Sequence, residues 1–157
     1  MIKLDSKKKK IVIIADPHNE IDKVKAILKK EDGDINICLG DWFDSFVYDE
    51  PRHYSETAKY LLNEFLPNPK NYTLIGNHDL HYLYGNSWTM CSGYADWKDA
   101  EIDEVIGKDR KNFRKKFHWA IVVDDILLTH AGLDRRLVKP KCQTYDDIIN
   151  GVFESVE

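Results

Sequence analysis

Four short segments of the sequence place aspartate, histidine or asparagine directly after an apolar run. In the clearest case the run from Tyr72 to Ile75 is followed by a glycine and then by an amide, an imidazole and a carboxylate. Carboxylate oxygen, amide oxygen and imidazole nitrogen are ligands for divalent metal ions. The segments are Asp16-Pro17-His18, Gly40-Asp41-Trp42-Phe43-Asp44, Gly76-Asn77-His78-Asp79 and Thr129-His130-Ala131-Gly132.

The apolar runs before these segments have the length and composition of buried strands. Amphipathic stretches at residues 21–28 and 58–65 separate the first three runs, and Asn19 is expected to cap the first helix. This order predicts a βαβαβ unit with parallel strands and right-handed crossovers. Because ligands bind at the carboxyl ends of strands in open α/β sheets, we expect the four segments to converge.

The chain beyond residue 80 predicts a loop, a helix and a hairpin. Residues 81–98 are rich in Tyr and Trp and predict an ordered loop. Its rings would either stack on a base or phenyl ring of a ligand or pack against the domain's own surface. Residues 99–116 predict a helix, and residues 117–123 and 126–129 predict two strands joined by a tight turn.

Composition narrows the class of protein. A chain of 157 residues with 43% hydrophobic content suits one domain, and a formal net charge of −4 gives no reason to expect nucleic-acid binding. The sequence has no run long enough to span a membrane and no pattern typical of a secretory signal. The three cysteines, Cys38, Cys91 and Cys142, are odd in number and widely spaced, which argues against a disulfide framework. A cytoplasmic location is therefore expected, with Cys38 as a packing residue.

In this order, the four segments resemble the first four signature motifs of the calcineurin-like metallophosphoesterases. The style of the His130 segment is closest to the branch that holds protein serine/threonine phosphatases and dinucleoside tetraphosphatases. The resemblance covers roughly residues 10–135. It implies an α/β fold, a metallophosphoesterase-type βαβαβ sandwich shortened in its C-terminal half. We expect a single domain of this type over residues 1–157.

The resemblance also implies a reaction and a role for each residue. Two divalent metal ions, Mn²⁺ before Fe or Zn²⁺, would activate a hydroxide for attack on a phosphate ester. The substrate would be a phosphorylated small molecule, a nucleotide or a phosphoprotein. His78 would protonate the leaving group and Asp44 would orient it, while Asp79 would be structural. The implied ligands are Asp16 and His18 for one metal, Asn77 and His130 for the other, and Asp41 as the bridge.

The sequence departs from the family pattern after His130. The family has a later Gly-His-x-His motif that completes both metals, and this chain has no histidine beyond His130. Each metal would then keep three protein ligands, with water in the remaining positions. His81 is the nearest candidate to replace a missing ligand, ahead of His53 and His118.

A second departure concerns phosphate binding, and other functions stay open. Ser45-Phe46 stands where the protein phosphatases have Arg-Gly, which leaves three other arginines as candidates to grip the phosphate. A truncated or degenerate metallophosphoesterase could instead be a non-catalytic metal-binding or interaction module, which the missing histidines favour. A nucleic-acid-processing factor that stacks bases on the aromatic loop is the third hypothesis, against which the net charge argues. The arginines are Arg52, Arg135 and Arg136.

Overall fold

Two β-sheets pack face to face in the computed structural model, which describes residues 2–85 and 89–132. In the smaller sheet, β6 lies between a parallel β1 and an antiparallel β7. The larger sheet has the order β2-β3-β4-β5, and every pair in it is parallel. The strands are β1 (Ile2–Leu4), β2 (Ile11–Ile14), β3 (Ile35–Cys38), β4 (Asn71–Leu74), β5 (Phe117–His118), β6 (Ile121–Val123) and β7 (Ile126–Leu128).

Helices connect the parallel strands, which confirms the predicted βαβαβ unit and extends it by one strand. None of the helices in the described ranges has the length and apolar content needed to cross a membrane. A π-helical turn, Leu61–Phe65, continues the second helix, and a short 3₁₀ turn, Gly107–Asp109, joins the last two. The α-helices are α1 (Ile21–Glu31), α2 (Pro51–Tyr60), α3 (Asn77–Tyr84), α4 (Asp96–Ile106) and α5 (Arg110–Arg114).

Each face of the larger sheet has its own apolar core. Between the helices and the sheet, Trp42 packs edge-on against Phe65 with ring centroids 4.8 Å apart, and its Nε1 donates to Thr73 Oγ1. Between the two sheets, Ile37 of β3 and Leu74 of β4 belong to one cluster with the side chains of β6. The helices therefore cover one face of the larger sheet, and the smaller sheet covers the other.

Strand β2 differs from its prediction as a strand covered on both faces. Val12 and Ile14 are buried towards the helices, but Ile13 is 51% exposed. The apolar cluster between the sheets draws its buried residues from β3, β4 and β6 rather than from β2. The outer face of β2 is thus only partly covered, as expected for a sandwich shortened in its second half.

The long aromatic loop is shorter than its prediction, because α3 runs to Tyr84 and α4 begins at Asp96. The described rings of this region pack against the domain itself: Tyr82 is fully buried, and Tyr94 lies 3.7 Å from the ring of His81. Packing against the domain's own surface, one of the two predicted alternatives, therefore accounts for them. Trp88 lies outside the described residues.

Two further boundaries were wrong in the sequence-based prediction. The helix expected over residues 99–116 is split at Gly107, whose positive φ of 56° ends α4. The strand expected over residues 117–123 is two strands in different sheets, since β5 pairs with β4 and β6 pairs with β1 and β7. The hairpin with its turn at Asp124-Asp125 is confirmed as β6 and β7.

Removal of the Phe65 side chain tests the helix-side core. Phe65→Ala should lower the free energy of unfolding by about 3–5 kcal/mol, because Phe65 is fully buried against Trp42. Phe46→Ala is the matched control, since Phe46 is 91% exposed, and should change stability by less than about 0.5 kcal/mol. Urea unfolding of both variants measures the difference, and equal effects would contradict this packing.

Candidate metal centre

Two glycines bring the ends of β3 and β4 together. Gly40 has φ of +99°, and a Cβ there would lie 2.5 Å from the backbone nitrogen of Gly76. A Cβ on Gly76 would overlap the Asp41 carboxylate and its backbone nitrogen. Side chains at either position would therefore force the strand ends apart, which explains why both metal-type segments begin with glycine.

Asp79 fixes this close approach with three hydrogen bonds. Its Oδ2 accepts from the backbone N–H groups of Asp41 and Gly76, each at 2.9 Å, and its Oδ1 accepts from that of Trp42 at 2.8 Å. Burial raises the pKa of the Asp79 carboxyl to about 7, although these three amide donors act in the opposite direction. The structure thus gives Asp79 the structural role that the resemblance implied.

The site segments hold non-glycine residues in the left-handed backbone region. This conformation is uncommon outside glycine, and asparagine, aspartate and histidine tolerate it best. The turns after β2 and β3 therefore depend on a left-handed backbone conformation that few residue types adopt, and this conformation sets the direction of their side chains. The residues with positive φ are Asp16 (46°), His18 (44°), Asn19 (65°), Asp41 (58°) and Asp44 (64°).

Asn19 supports these turns instead of capping a helix, so the predicted cap is wrong. The N-cap of α1 is Glu20, and no side chain bonds to the cap. The buried Asn19 donates from Nδ2 to the carbonyl of Tyr48 and accepts at Oδ1 from Thr57 Oγ1, both at 3.0 Å. These bonds join the turn after β2 to the loop after β3 and to α2.

Two histidines use the same nitrogen to hold their rings in place. His18 Nδ1 lies 2.8 Å from the carbonyl oxygen of Phe43, and His130 Nδ1 lies 2.9 Å from that of Leu39. A carbonyl oxygen only accepts, so both Nδ1 atoms must carry the proton. In a neutral ring, Nε2 then keeps a free electron pair, which is the arrangement of metal-binding histidines.

These electron pairs converge on the Asp41 carboxylate. Asp41 Oδ2 lies 3.3 Å from His130 Nε2 and 3.9 Å from His18 Nε2. His130 Nε2 also lies 3.0 Å from Asn77 Oδ1, and Asp16 Oδ1 lies 3.8 Å from His130 Nδ1. The structure therefore brings together all five predicted ligands. Asp41 is between the two histidines, where a bridging carboxylate would be.

The donor set fits divalent cations. With neutral histidines, the facing atoms are electron-pair donors without a proton to share, and such a group is stabilised by positive charge. The atoms are oxygen and imidazole nitrogen, which suits Mn²⁺, Fe or Zn²⁺. Asp16, Asp41 and His130 together form one of the two groups of candidate metal-binding side chains among the described residues.

Beside this centre, His78 pairs with Asp44, as the resemblance implied. His78 Nδ1 lies 3.1 Å from Asp44 Oδ2, and the His78 backbone N–H donates to Asp41 Oδ1 at 2.9 Å. The Asp44 side chain is fully buried, and Tyr82 donates its hydroxyl to Asp44 Oδ1 at 2.6 Å. Burial and this bond to a carboxylate raise the pKa of Tyr82 well above its usual range, so the phenol remains a donor.

Two residues around Asp44 were missed by the sequence analysis. The Sγ atom of Cys91 lies 3.1 Å from Asp44 Oδ2, and Lys98 Nζ lies 3.4 Å from Asp44 Oδ1. Burial, followed by the bond to Asp44, raises the pKa of Cys91 to about 11, so the sulfur is a neutral thiol. Neither residue is part of a short motif, and only the packing of α4 and the loop before it reveals them.

The proposed substitutes for missing family residues lie elsewhere. His53 bonds within the first turn of α2, His118 is on β5, and buried His81 packs on Tyr94. None of the three belongs to either candidate metal-binding group of the described chain. Arg52 pairs with Glu50 at the surface, at 3.1 Å. Arg135 and Arg136 lie outside the described residues.

Comparison with known proteins agrees with the resemblance to the calcineurin-like metallophosphoesterases. The profile of the family described as calcineurin-like phosphoesterase matches residues 9–154, and the chain therefore belongs to that family. Among solved structures, the fold is similar to that of a protein serine/threonine phosphatase from Saccharomyces cerevisiae with similarity to human phosphatase PP5.

That match has a TM-score of 0.56 and 18% sequence identity. It covers 94% of this chain and 46% of the other, so this chain spans about half the length of that structure. The coverage agrees with a metallophosphoesterase fold shortened relative to that phosphatase. A search of curated proteins finds no match.

Loss of the Asp79 carboxylate tests the connection between the strand ends. Asp79→Ala leaves three buried backbone N–H groups without their acceptor, which should lower the free energy of unfolding by about 3 kcal/mol or more. It should also weaken Mn²⁺ binding, because the Asp41 backbone loses its anchor. Glu56→Ala, an exposed carboxylate on α2, is the control. Calorimetric melting and metal titration of both proteins measure the effects, and equal melting temperatures would contradict the role of Asp79.

Proposed function

We propose that this chain is a metal-dependent phosphoesterase that hydrolyses a phosphate ester at the centre around Asp41. The observation that carries the proposal is the position of the two histidines. Each histidine donates its Nδ1–H to a backbone carbonyl, and its Nε2 atom, with a free electron pair, faces the Asp41 carboxylate. Membership of the calcineurin-like phosphoesterase family supports the reaction class.

Two divalent cations would be held on either side of Asp41. Asp16 and His18 would be the ligands on one side, and Asn77 and His130 those on the other. Bound there, the cations would neutralise phosphate charge and lower the pKa of a water molecule that attacks phosphorus. We propose Mn²⁺ first, because three of the five ligands are oxygen donors.

His78 would supply the proton that the leaving group needs. With Nδ1–H donated to Asp44, the imidazole ring is held in one orientation, and Nε2 remains for the substrate. In the protonated ring, the Nε2–H bond breaks as the P–O bond to the leaving group breaks, and the proton goes to that oxygen. The buried Asp44 carboxylate stabilises the positive charge on the ring before transfer.

The substrate class extends to a phosphorylated small molecule, a nucleotide or a phosphoprotein. The solved phosphatase with this fold makes a phosphoprotein one reasonable member of a test panel. We also propose a cytoplasmic location, which suits the two cysteines of the described residues, Cys38 and Cys91, since both are free thiols.

Substitution of His78 separates catalysis from metal binding. His78→Ala should lower kcat for nitrophenyl phosphate or bis-nitrophenyl phosphate by about 10²–10⁴-fold, because the leaving group loses its proton donor. Bound Mn²⁺ should stay equal to that of the unchanged protein. His53→Ala is the matched control. The hydrogen bond described for the His53 ring is with the backbone N–H of Glu50, at the start of α2.

The same experiment addresses the non-catalytic alternative. Full metal occupancy with no turnover of monoesters, diesters or pyrophosphates would favour a metal-binding or interaction module and reject the proposed hydrolase. Turnover that is equal in the His78→Ala protein would reject the assignment of the proton donor alone.

Substitution of Asp41 tests the centre directly. Asp41→Asn keeps the size of the side chain but removes the charge that both histidines face, so Mn²⁺ affinity should fall at least about tenfold. Asp22→Asn, on the exposed first turn of α1, should leave the affinity unchanged. Isothermal titration with Mn²⁺ compares the two, and an unaltered affinity in Asp41→Asn would place the metals elsewhere.

A further inference from the structure

A second group of metal-type side chains lies beside the Asp41 centre and contains a thiol. Asp44 Oδ2, His78 Nδ1 and Cys91 Sγ form a triangle with sides of 3.1, 3.1 and 3.2 Å. The three atoms belong to the second candidate metal-binding group of the described residues. The proposed hydrolysis uses the aspartate and the histidine, but it has no use for the cysteine.

The size and chemistry of this triangle suit zinc. Zinc binds sulfur at about 2.3 Å and nitrogen or oxygen at about 2.0–2.2 Å, which places tetrahedral ligands about 3.3–3.6 Å from one another. The observed sides are a few tenths of an ångström shorter, so small side-chain shifts would admit the ion. Thiolate, imidazole and carboxylate form a donor set typical of zinc, whereas manganese prefers oxygen.

The surroundings hold the triangle in place. Asp44 Oδ1 accepts from Tyr82 and contacts Lys98, which leaves Oδ2 to face the histidine and the cysteine. The positive charge of Lys98 is shared with Asp49, whose Oδ1 lies 2.6 Å from Nζ, and this reduces its repulsion of a cation. Oriented carboxylates of this kind are the supporting groups of metal sites in general.

Gly93 permits the cysteine loop to approach. A Cβ on Gly93 would lie 2.7 Å from the Cβ of Asp44, closer than real side-chain atoms come. The carbonyl of the same residue accepts from Lys98 Nζ at 2.7 Å, which fixes the loop on α4. The position of Cys91 beside His78 is therefore built by backbone contacts rather than by the thiol alone.

We propose that Asp44, His78 and Cys91 form a zinc site distinct from the Asp41 centre, and that zinc bound there inhibits the phosphoesterase. On binding, the Cys91 S–H bond breaks, its proton goes to water, and the sulfur binds the ion. The Nδ1–H proton of His78 goes to water and Nε2 takes a proton from water, so the neutral ring gives its Nδ1 electron pair to zinc and carries its proton on Nε2. Water fills the fourth position, and no atom is oxidised or reduced.

The inhibitory part of this inference rests on the proposed function, whereas zinc binding does not. With Nδ1 on zinc, His78 no longer donates to Asp44, and the charged ring that would protonate the leaving group does not form. Low concentrations of a divalent metal should therefore support activity, and added zinc should then suppress it.

Cobalt(II) in place of zinc tests the site without any need for turnover. Added to the 157-residue protein loaded with Mn²⁺, cobalt should produce the thiolate-to-cobalt charge-transfer absorption in the near ultraviolet. The band should disappear in Cys91→Ser and persist in Cys142→Ser, which removes a different thiol. It should also persist in Asp41→Asn. Absence of the band in the unchanged protein, or its survival in Cys91→Ser, would overturn the zinc site.

Zinc titration of the activity tests the inhibition. The ratio of the rate with excess zinc to the rate with Mn²⁺ alone should be at least tenfold higher in Cys91→Ser than in the unchanged or Cys142→Ser protein. Equal ratios would overturn the inhibition even if cobalt binds the thiolate. A protein that shows the cobalt band but no hydrolysis under any condition would contradict the proposed function and leave the metal site supported.

Discussion

The three hydrogen bonds that Asp79 accepts are the constraint on which the site depends. They draw the backbone of Asp41, Trp42 and Gly76 onto one buried carboxylate, so the ends of β3 and β4 occupy fixed positions. Charge-assisted bonds to backbone N–H groups offset part of the cost of burying this carboxylate. Together with the close approach of Gly40 and Gly76, this connection sets how far the β3 and β4 segments of the site lie from each other.

The strained backbone around the site is held by its apolar neighbours. Asp41 and Asp44 both have positive φ, and the two residues between them, Trp42 and Phe43, are fully buried. Trp42 is further tied to Thr73 of β4 by its indole N–H. Sparsely populated backbone conformations persist where packing over-determines them, and such residues cluster at functional sites. The segment therefore alternates between polar groups that face the site and rings that anchor it.

The site residues that the sequence predicted well lie in short motifs directly after strands. The metal-type residues follow segments that the sequence clearly predicts as strands, and parallel strands bring their carboxyl ends to one edge, so Asp16, Asp41 and Asn77 could be placed together in advance. His130 follows the antiparallel strand β7 of the smaller sheet, so that rule does not explain why its ring contacts Leu39 and Asp41. Cys91 and Lys98 could not be placed in advance, because they reach Asp44 through the packing of α4 on α2 and through the close approach at Gly93. No local spacing encodes such contacts.

The boundaries that were wrong have similar causes. Phe117 and Ile121 look like one apolar strand in the sequence, yet they pair in different sheets because residues between them change the chain's direction from one sheet to the other. Asn19 has the residue type of a cap, but its side chain is used on Tyr48 and Thr57 instead. Tertiary hydrogen bonds overrode local preference in each of these places.

Asp44 would take part both in the proposed hydrolysis and in the proposed zinc site. Because Mn²⁺ prefers oxygen ligands and Zn²⁺ also binds thiolate, the two metals would bind different side chains. Its Oδ2 serves His78 and Cys91 at similar distances, and a neutral thiol is the weaker donor, so His78 holds the stronger bond while no soft metal is present. Manganese has little affinity for sulfur and would remain with the oxygen ligands around Asp41. Zinc accepts the thiolate and would therefore take the histidine away from its carboxylate. The Cys91 thiol, 3.2 Å from the proposed proton donor His78, would thus make Asp44 and His78 respond differently to the two metals.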